Sequence, residues 1–418
     1  MSKRESHDAT AFYARFEPPT LSDDDHVDPT KDIDELFVGD ARDMSAVKDA
    51  SVALVVTSPP YFAGKVYEEA LGEGAIPGTY LEFLQMLEDV FAECVRTLEP
   101  GGRLAVNVAN LGRKPYRNLA ADVTTILQDR LRLLLRGEVV WAKARGAAGS
   151  CAWGSFRKPG NPVLRDLTER VVIASKGRFD RAVTQQKRAK LGLPHVPTVS
   201  ADEFMESTTD VWDIPSERAS RVGHPAPFPV ELPERLIHQH TYLGDLVLDP
   251  FVGAGTTAVA AVRTGRHYVG YDLDAGYVTA ARERIAATKP VAAGDGVAAV
   301  DEAIALLWAA GFTDVKKVDR DIVASDVRGR QWRVFVAGGW TVAKPGLRRL
   351  EEAWRVAALA AAEERPVAVL TPVLPMASSP AAPVLKRLTG PSRPIRAVLE
   401  LRAASTPAAL RDLANGRA

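Results

Sequence analysis

The apolar run Val52-Ala53-Leu54-Val55-Val56 has the character of a β-strand, and two prolines stop it at once in Thr57-Ser58-Pro59-Pro60-Tyr61. Proline has no N–H for a sheet ladder and fixes φ at about −65°. The strand must therefore end abruptly in a stiff loop, with a small hydroxyl before the prolines and an aromatic ring after them. One reading is a plain strand-ending turn. The other is a clamp for a flat group. The Tyr61 ring can stack on such a group, while Ser58 and the carbonyls beside Pro59 and Pro60 can accept hydrogen bonds from an amine.

Around this stop, strand and helix signals alternate. A short strand lies in Glu35-Leu36-Phe37-Val38-Gly39-Asp40-Ala41 and ends in Gly-Asp. The Gly-rich segment 62–79 has no period and reads as a cover able to close over a ligand. Apolar spacings of three and four predict a helix over 80–98, ended by Glu99-Pro100-Gly101-Gly102. A strand over 103–108, a helix over 119–135, and strands over 137–141 and 169–177 follow. His224-Pro225-Ala226-Pro227-Phe228-Pro229 opens a helix over 230–240. Then come a strand over 246–250, a helix over 258–263, a strand over 267–274 and a helix to 288. This alternation predicts an α/β fold with a doubly wound, mostly parallel sheet.

In such sheets ligands sit at the carboxyl ends of the strands. Asp40 is placed there, as a ligand contact or as a helix N-cap. So is the stretch Asp249-Pro250-Phe251-Val252-Gly253-Ala254-Gly255-Thr256-Thr257. Gly253 and Gly255 allow a tight turn and a close approach of backbone to ligand. Asp272 lies 17 residues after Gly255 at the end of the next strand, where an acid can accept both hydroxyls of a ribose. From this segment alone a nicotinamide dinucleotide and S-adenosylmethionine (SAM) fit equally.

The net charge is zero, from 53 basic and 53 acidic residues, but unevenly spread. Residues 1–35 hold 4 Lys/Arg against 10 Asp/Glu, and residues 143–190 hold 12 against 3. The basic block reads as a solvated face or as a footprint for phosphates. The first 30 residues read as a disordered acidic arm. No apolar run approaches the ~18 residues of a membrane helix, and no secretory core opens the chain. Of the two cysteines, Cys94 lies on the apolar face of a helix pattern and Cys151 in a Gly/Ala-rich loop. Neither has metal-ligand spacing, so a reducing, cytoplasmic setting is expected, with no metal and no membrane contact.

Together, Thr57-Ser58-Pro59-Pro60-Tyr61 and the glycine stretch resemble the DNA amino-methyltransferases. These transfer a methyl group from SAM to the exocyclic amine of cytosine (N4) or adenine (N6). The catalytic loop precedes the SAM loop, which is similar to the permuted order of the family's β group. The resemblance covers about residues 33–288 and implies a Rossmann-like SAM-methyltransferase sheet. It implies Ser58, Pro59, Pro60 and Tyr61 as catalytic residues. It implies SAM contacts from Asp40 and Ala41 beside the adenine, and from Phe228 in a turn bordering the methionine end. Asp249, Pro250, Phe251, Gly253, Gly255, Thr256, Thr257 and Asp272 complete that set. The target would be a base flipped out of double-stranded DNA. Cytosine enzymes of the family usually carry Ser before the prolines and adenine enzymes Asp or Asn, so Ser58 points to cytosine N4, with adenine N6 the alternative. Target recognition is expected within 144–222, with Arg157, Lys158 and Arg165 on phosphates. A cognate restriction endonuclease and a homodimer are possible partners. A DNA-binding module with a vestigial SAM pocket and an NAD-dependent oxidoreductase are the rival readings.

The domain boundaries expected are an arm at 1–30, a methyltransferase domain at 31–289 and a small α/β accessory domain at 290–418. In the last, helices are expected over 298–310 and 347–363 and strands over 332–337, 367–371 and 396–401. This order resembles nuclease-like folds, but Val334-Phe335-Val336-Ala337-Gly338-Gly339 carries no acid-x-Lys signature, and Asp321 or Asp326 alone is not a metal site.

Overall fold

The computed structural model describes residues 19–28, 34–61, 77–110, 116–143, 154–164, 166–216, 228–290, 298–341 and 346–417. In chain order they form β1 (Glu35–Val38), β2 (Val52–Thr57), α1 (Tyr80–Thr97), β3 (Leu98–Val108), α2 (Leu119–Thr125), β4 (Leu134–Ala142), β5 (Thr168–Ser175), α3 (Gln185–Lys190), α4 (Ala201–Ser207), β6 (Val211–Asp213), α5 (Glu231–His240), β7 (Leu246–Asp249), α6 (Thr256–Arg263), β8 (His267–Asp272) and α7 (Ala275–Ala286). There follow α8 (Ala299–Ala310), β9 (Thr313–Val318), β10 (Asp321–Ser325), β11 (Gln331–Val336), α9 (Leu350–Ala362), β12 (Val367–Thr371), α10 (Ala381–Leu388), β13 (Ile395–Glu400) and α11 (Thr406–Ala414). Two compact units result: Met1–Pro197 with Thr209–Val291, and Thr198–Thr208 with Ala292–Ala418.

The first unit is built on an eight-stranded sheet in the order β1-β8-β7-β2-β3-β5-β4-β6. The five strands from β1 to β3 run parallel, and β5 alone runs against both its neighbours. Every residue of β2 is buried, so the strand is apolar on both faces, as a central parallel strand must be. Val55 packs against α1 and α2, whereas Leu54 and Val56 pack against α5 and α6 on the opposite face. A capping box starts α1: Thr79 Oγ1 accepts from the Glu82 N–H, and the Glu82 carboxylate accepts from the Thr79 N–H. Such a cap is worth about 1 kcal/mol. The buried stripe Phe83, Leu87, Val90, Phe91 and Cys94 then docks the helix on the sheet.

Adjacent strands β2 and β7 lead into helices on opposite faces. Their carboxyl ends therefore open a crevice, the place where doubly wound sheets take ligands.

Three expectations change. The helix expected over 119–135 ends at Arg130 in a π turn; Arg132 then takes φ 52° and sends Leu134 into β4. Residues 19–28, expected to be disordered, are tied down: the N–H groups of Thr20, Ser22 and Asp28 donate to Arg132, Gly177 and Ala50 carbonyls. The rest of the arm, residues 1–18, 29 and 30, lies outside the described residues, as do Cys151 and most of the Gly-rich segment 62–79. Residues 198–208, read as part of the methyltransferase domain, belong to the second unit.

The second unit has a five-stranded sheet, β13-β12-β11-β10-β9. Strands β9, β10 and β11 form an antiparallel meander, and β11, β12 and β13 are parallel. Helices α8 and α11 cover one face, α9 and α10 the other. Strand β9 escaped the sequence reading because Thr313-Asp314-Val315-Lys316-Lys317-Val318 is a polar, exposed edge. Asp321 is buried between Arg355 (3.2 Å) and Arg333 (3.6 Å) and accepts from the Val336 N–H, so arginines occupy its carboxylate. Among the described residues no helix is long and apolar enough to cross a membrane.

Candidate active site

The proline stop does what its chemistry dictates. Strand β2 ends at Thr57, and Ser58, Pro59, Pro60 and Tyr61 continue without regular structure. Beside it ends β7, in register Leu54 to Val247 and Val55 to Leu248. The two motifs, 192 residues apart, are joined where Thr57 Oγ1 donates to Asp249 Oδ1 at 2.7 Å. Thr257 Oγ1 donates to the other oxygen, Oδ2, at 2.7 Å. One buried carboxylate thus ties the end of β2, the end of β7 and the first turn of α6. Burial pushes the Asp249 carboxyl up to about 6, against the pull of the two threonine hydrogen bonds.

The glycine loop is a cradle. Gly253 has φ +48° and Gly255 φ +77°, and a Cβ on Gly255 would stand 2.8 Å from that of Ala281. Only glycine fits there without strain. Gly255 begins α6, so backbone N–H groups of its first turn face the crevice. The Gly253 N–H donates to Asp272 Oδ2 at 2.9 Å and the Asp274 N–H to Oδ1 at 2.9 Å. Burial raises the Asp272 carboxyl. The Gly39 N–H donates to the Asp272 carbonyl, which brings Asp40 and Ala41 to the same edge.

Other expected contacts are turned elsewhere. Asp40 is held by Arg42 at 2.5 Å, which keeps its carboxyl low. Asp249 faces the two threonines, and Thr256 Oγ1 accepts from Arg284 at 3.0 Å. Phe251 packs with the core on the α1 face and Phe228 with the core on the α5 face. Pro250 is buried in the turn between β7 and the glycines.

Around Ser58 the neighbours are polar. Ser58 Oγ lies 2.8 Å from the Tyr61 hydroxyl, which donates to Glu169 Oε2 at 3.2 Å. Asn107 Nδ2 donates to the same oxygen at 2.6 Å, and Lys143 Nζ to Oε1 at 2.9 Å. The Tyr61 ring is only 7% exposed and packs into the core, rather than standing free over the loop. Asn107, Lys143 and Glu169 were not singled out from the sequence. Their signal was a polar residue inside the apolar strand Leu104-Ala105-Val106-Asn107-Val108 and an acid heading the apolar run of β5.

Part of the basic block turns inward. Arg181 and Arg188 pair with Glu99 and Asp245 at the amino ends of the central strands β3 and β7. Lys176 donates to the Arg96 and Leu98 carbonyls. Arg157 and Lys158 remain exposed in a loop closed by the bridge Gly154–Pro162; Arg165 lies outside the described residues.

Residues 52–283 match the family model of the N6/N4 DNA methylases. The type II methyltransferase M.MjaI of Methanocaldococcus jannaschii is 28% identical over 272 residues, which cover 57% of this chain and 87% of that protein. The DNA adenine methyltransferase YhdJ of Escherichia coli K12 is 26% identical over 255 residues, 59% of this chain and 81% of YhdJ. Among solved structures, TTHA0409 of Thermus thermophilus, described as a DNA modification methylase, is 33% identical with a TM-score of 0.46, covering 63% of this chain and 97% of that one. With the two motifs meeting in one crevice of a doubly wound sheet, the chain belongs to the N6/N4 DNA methylases, enzymes that use SAM to methylate an exocyclic amine of a DNA base.

Proposed function

We propose that this enzyme methylates cytosine N4 in double-stranded DNA, acting on a base turned out of the helix. The observation that carries the reading is Ser58, the residue before the two prolines, at the end of β2 beside the glycine cradle. The cradle fits SAM: Gly253 and Gly255 leave room for backbone contact, and Asp272 stands at the end of β8 to accept from a ribose. SAM, when bound, supplies an electrophilic methyl on its sulfonium.

The target nitrogen is a poor nucleophile because its lone pair is delocalised into the ring. Ser58 Oγ and the Pro59 carbonyl accept from its N–H groups and favour a pyramidal nitrogen with a localised pair. That is preorganised stabilisation of the transition state. With SAM supplying the methyl, Ser58 Oγ and the Pro59 carbonyl would hold the two N–H groups in line, and the nitrogen would give up one proton to water as it is methylated. Tyr61, buried as it is, serves through its hydroxyl on Ser58, with the edge of its ring left to meet the base. Residues 144–222 supply target recognition, and residues 290–418 an accessory domain. The setting is cytoplasmic, and a restriction endonuclease of the same specificity is the expected partner.

Adenine N6 is the second reading, favoured by the relationship to YhdJ. Mass spectrometry of nucleosides from DNA methylated by the purified enzyme decides between them. N4-methylcytosine is expected; N6-methyladenine alone would overturn the cytosine assignment.

A further inference from the structure

We propose that Glu169 is a positioning residue that sets the direction of hydrogen bonding at Ser58, making its oxygen an acceptor toward the target amine. This rests on the catalytic reading of Ser58. The Glu169 carboxylate is almost wholly buried and receives three donors: Lys143 Nζ on Oε1, and Asn107 Nδ2 and the Tyr61 hydroxyl on Oε2. The Asn107 orientation follows from its contact, because only the amide nitrogen can sit 2.6 Å from a carboxylate oxygen. An ionised carboxylate accepts and never donates. The single phenolic proton of Tyr61 therefore points at Glu169. At the 2.8 Å contact between Tyr61 and Ser58, the serine must then be the donor.

With its own proton turned to Tyr61, Ser58 keeps its lone pairs for the amine. The other neighbour, Asn107 Nδ2, is 3.5 Å from Ser58 Oγ, too far to occupy a lone pair well. Without the carboxylate, nothing decides whether Ser58 offers a proton or a lone pair. A serine that offers its proton repels the N–H it should receive. The chain of direction runs from strand β5 through Tyr61 to the loop, and Lys143 and Asn107 hold its origin in place.

Glu169→Gln tests the idea. A carboxamide has one acceptor, and a charge-assisted bond is about twice as strong as a neutral one. Its oxygen should therefore turn to Lys143 and its NH₂ to Tyr61, reversing the chain. The expected result is a kcat lowered by roughly 10- to 100-fold, with KM for SAM and for DNA changed less than about twofold. Adding Lys143→Leu frees the carboxamide oxygen to face Asn107 and Tyr61, and most of the lost kcat should return. Adding Tyr61→Phe to Glu169→Gln should cost little more, because the effect runs through that hydroxyl. An unchanged kcat in Glu169→Gln overturns the proposal. So does failure of the Lys143→Leu rescue in a double variant that melts and binds SAM like the parent, which would mark Glu169 as structural. Ser58→Ala separates the two levels: full activity there defeats the catalytic reading itself, whereas a dead Ser58→Ala beside a fully active Glu169→Gln defeats only the role of Glu169.

Discussion

Asp249 illustrates how one side chain can be indispensable and costly together. Both its oxygens accept from Thr57 and Thr257, and so it fixes the proline loop against the glycine loop. Its carboxyl, raised from 3.8 to about 6 by burial, binds a proton more tightly folded than unfolded. Its contribution to stability is therefore greatest below pH 3.8 and is lost as pH rises through 6, a fall of about 3 kcal/mol at 1.36 kcal/mol per unit. Asp249→Asn should remove that slope. Urea midpoints between pH 4 and 7.5 should be flatter in the variant, and parallel curves would take Asp249 out of the pH response. Asp272 is the complementary case, with one backbone donor on each oxygen and further lone pairs not taken by them. Asp272→Ala should weaken SAM binding by about 1.5–3 kcal/mol, read by calorimetry. Unchanged affinity would exclude it from the site. Both carboxylates were legible as candidates at strand ends. That Asp249 is taken up by two threonines was not, because Thr57 and Thr257 approach from elements far apart in the chain.

Among the elements, those with strong periodicity were legible: β2, α1, α5, β7 and β8 lie where their apolar patterns put them. The glycine cradle was legible too, because φ +77° at Gly255 leaves few other residues a place. Gly255→Ala should cost about 1–3 kcal/mol by strain and by contact with Ala281, measured as a lower denaturation midpoint. An unshifted midpoint would mean that α7 gives way easily. What composition could not reveal was where charge points. The run of 12 basic residues over 143–190 looked like one surface, yet half-buried Arg181 and buried Arg188 pair with Glu99 and Asp245. Of the residues expected on phosphates, Arg157 and Lys158 are exposed in the structure. Replacing both by alanine should lower the slope of log K against log salt by ~0.9 for each phosphate that a removed side chain had neutralised. An identical slope would put the DNA on another surface.

At the scale of the whole chain, the order of motifs and the order of strands disagree, and the fold reconciles them. Ser58 and Gly253 are far apart in sequence because β2 is followed by β3 to β6 before β7 returns to its side. The hydrogen bond from Thr57 to Asp249 closes that loop. Alternation of strand and helix gave the sheet its class, but not the antiparallel β5, since an apolar strand reads the same in either direction. Nor did it reveal that 198–208 leaves the first unit, because α4 is a short polar helix with no periodic face. SAM should read this organisation directly. Saturation at 100 times its dissociation constant stabilises the state that binds it by ~2.7 kcal/mol. Slowed amide exchange is expected at 250–257 and 272–274, and along β2 and β7, where the two motifs are tied. Strands β10 to β12 carry their own core between α8 with α11 and α9 with α10, so their amides should exchange at the same rate with and without SAM. Equal slowing there would show that the second core shares the binding energy. No slowing at 250–257 would remove the glycine cradle from the cofactor site.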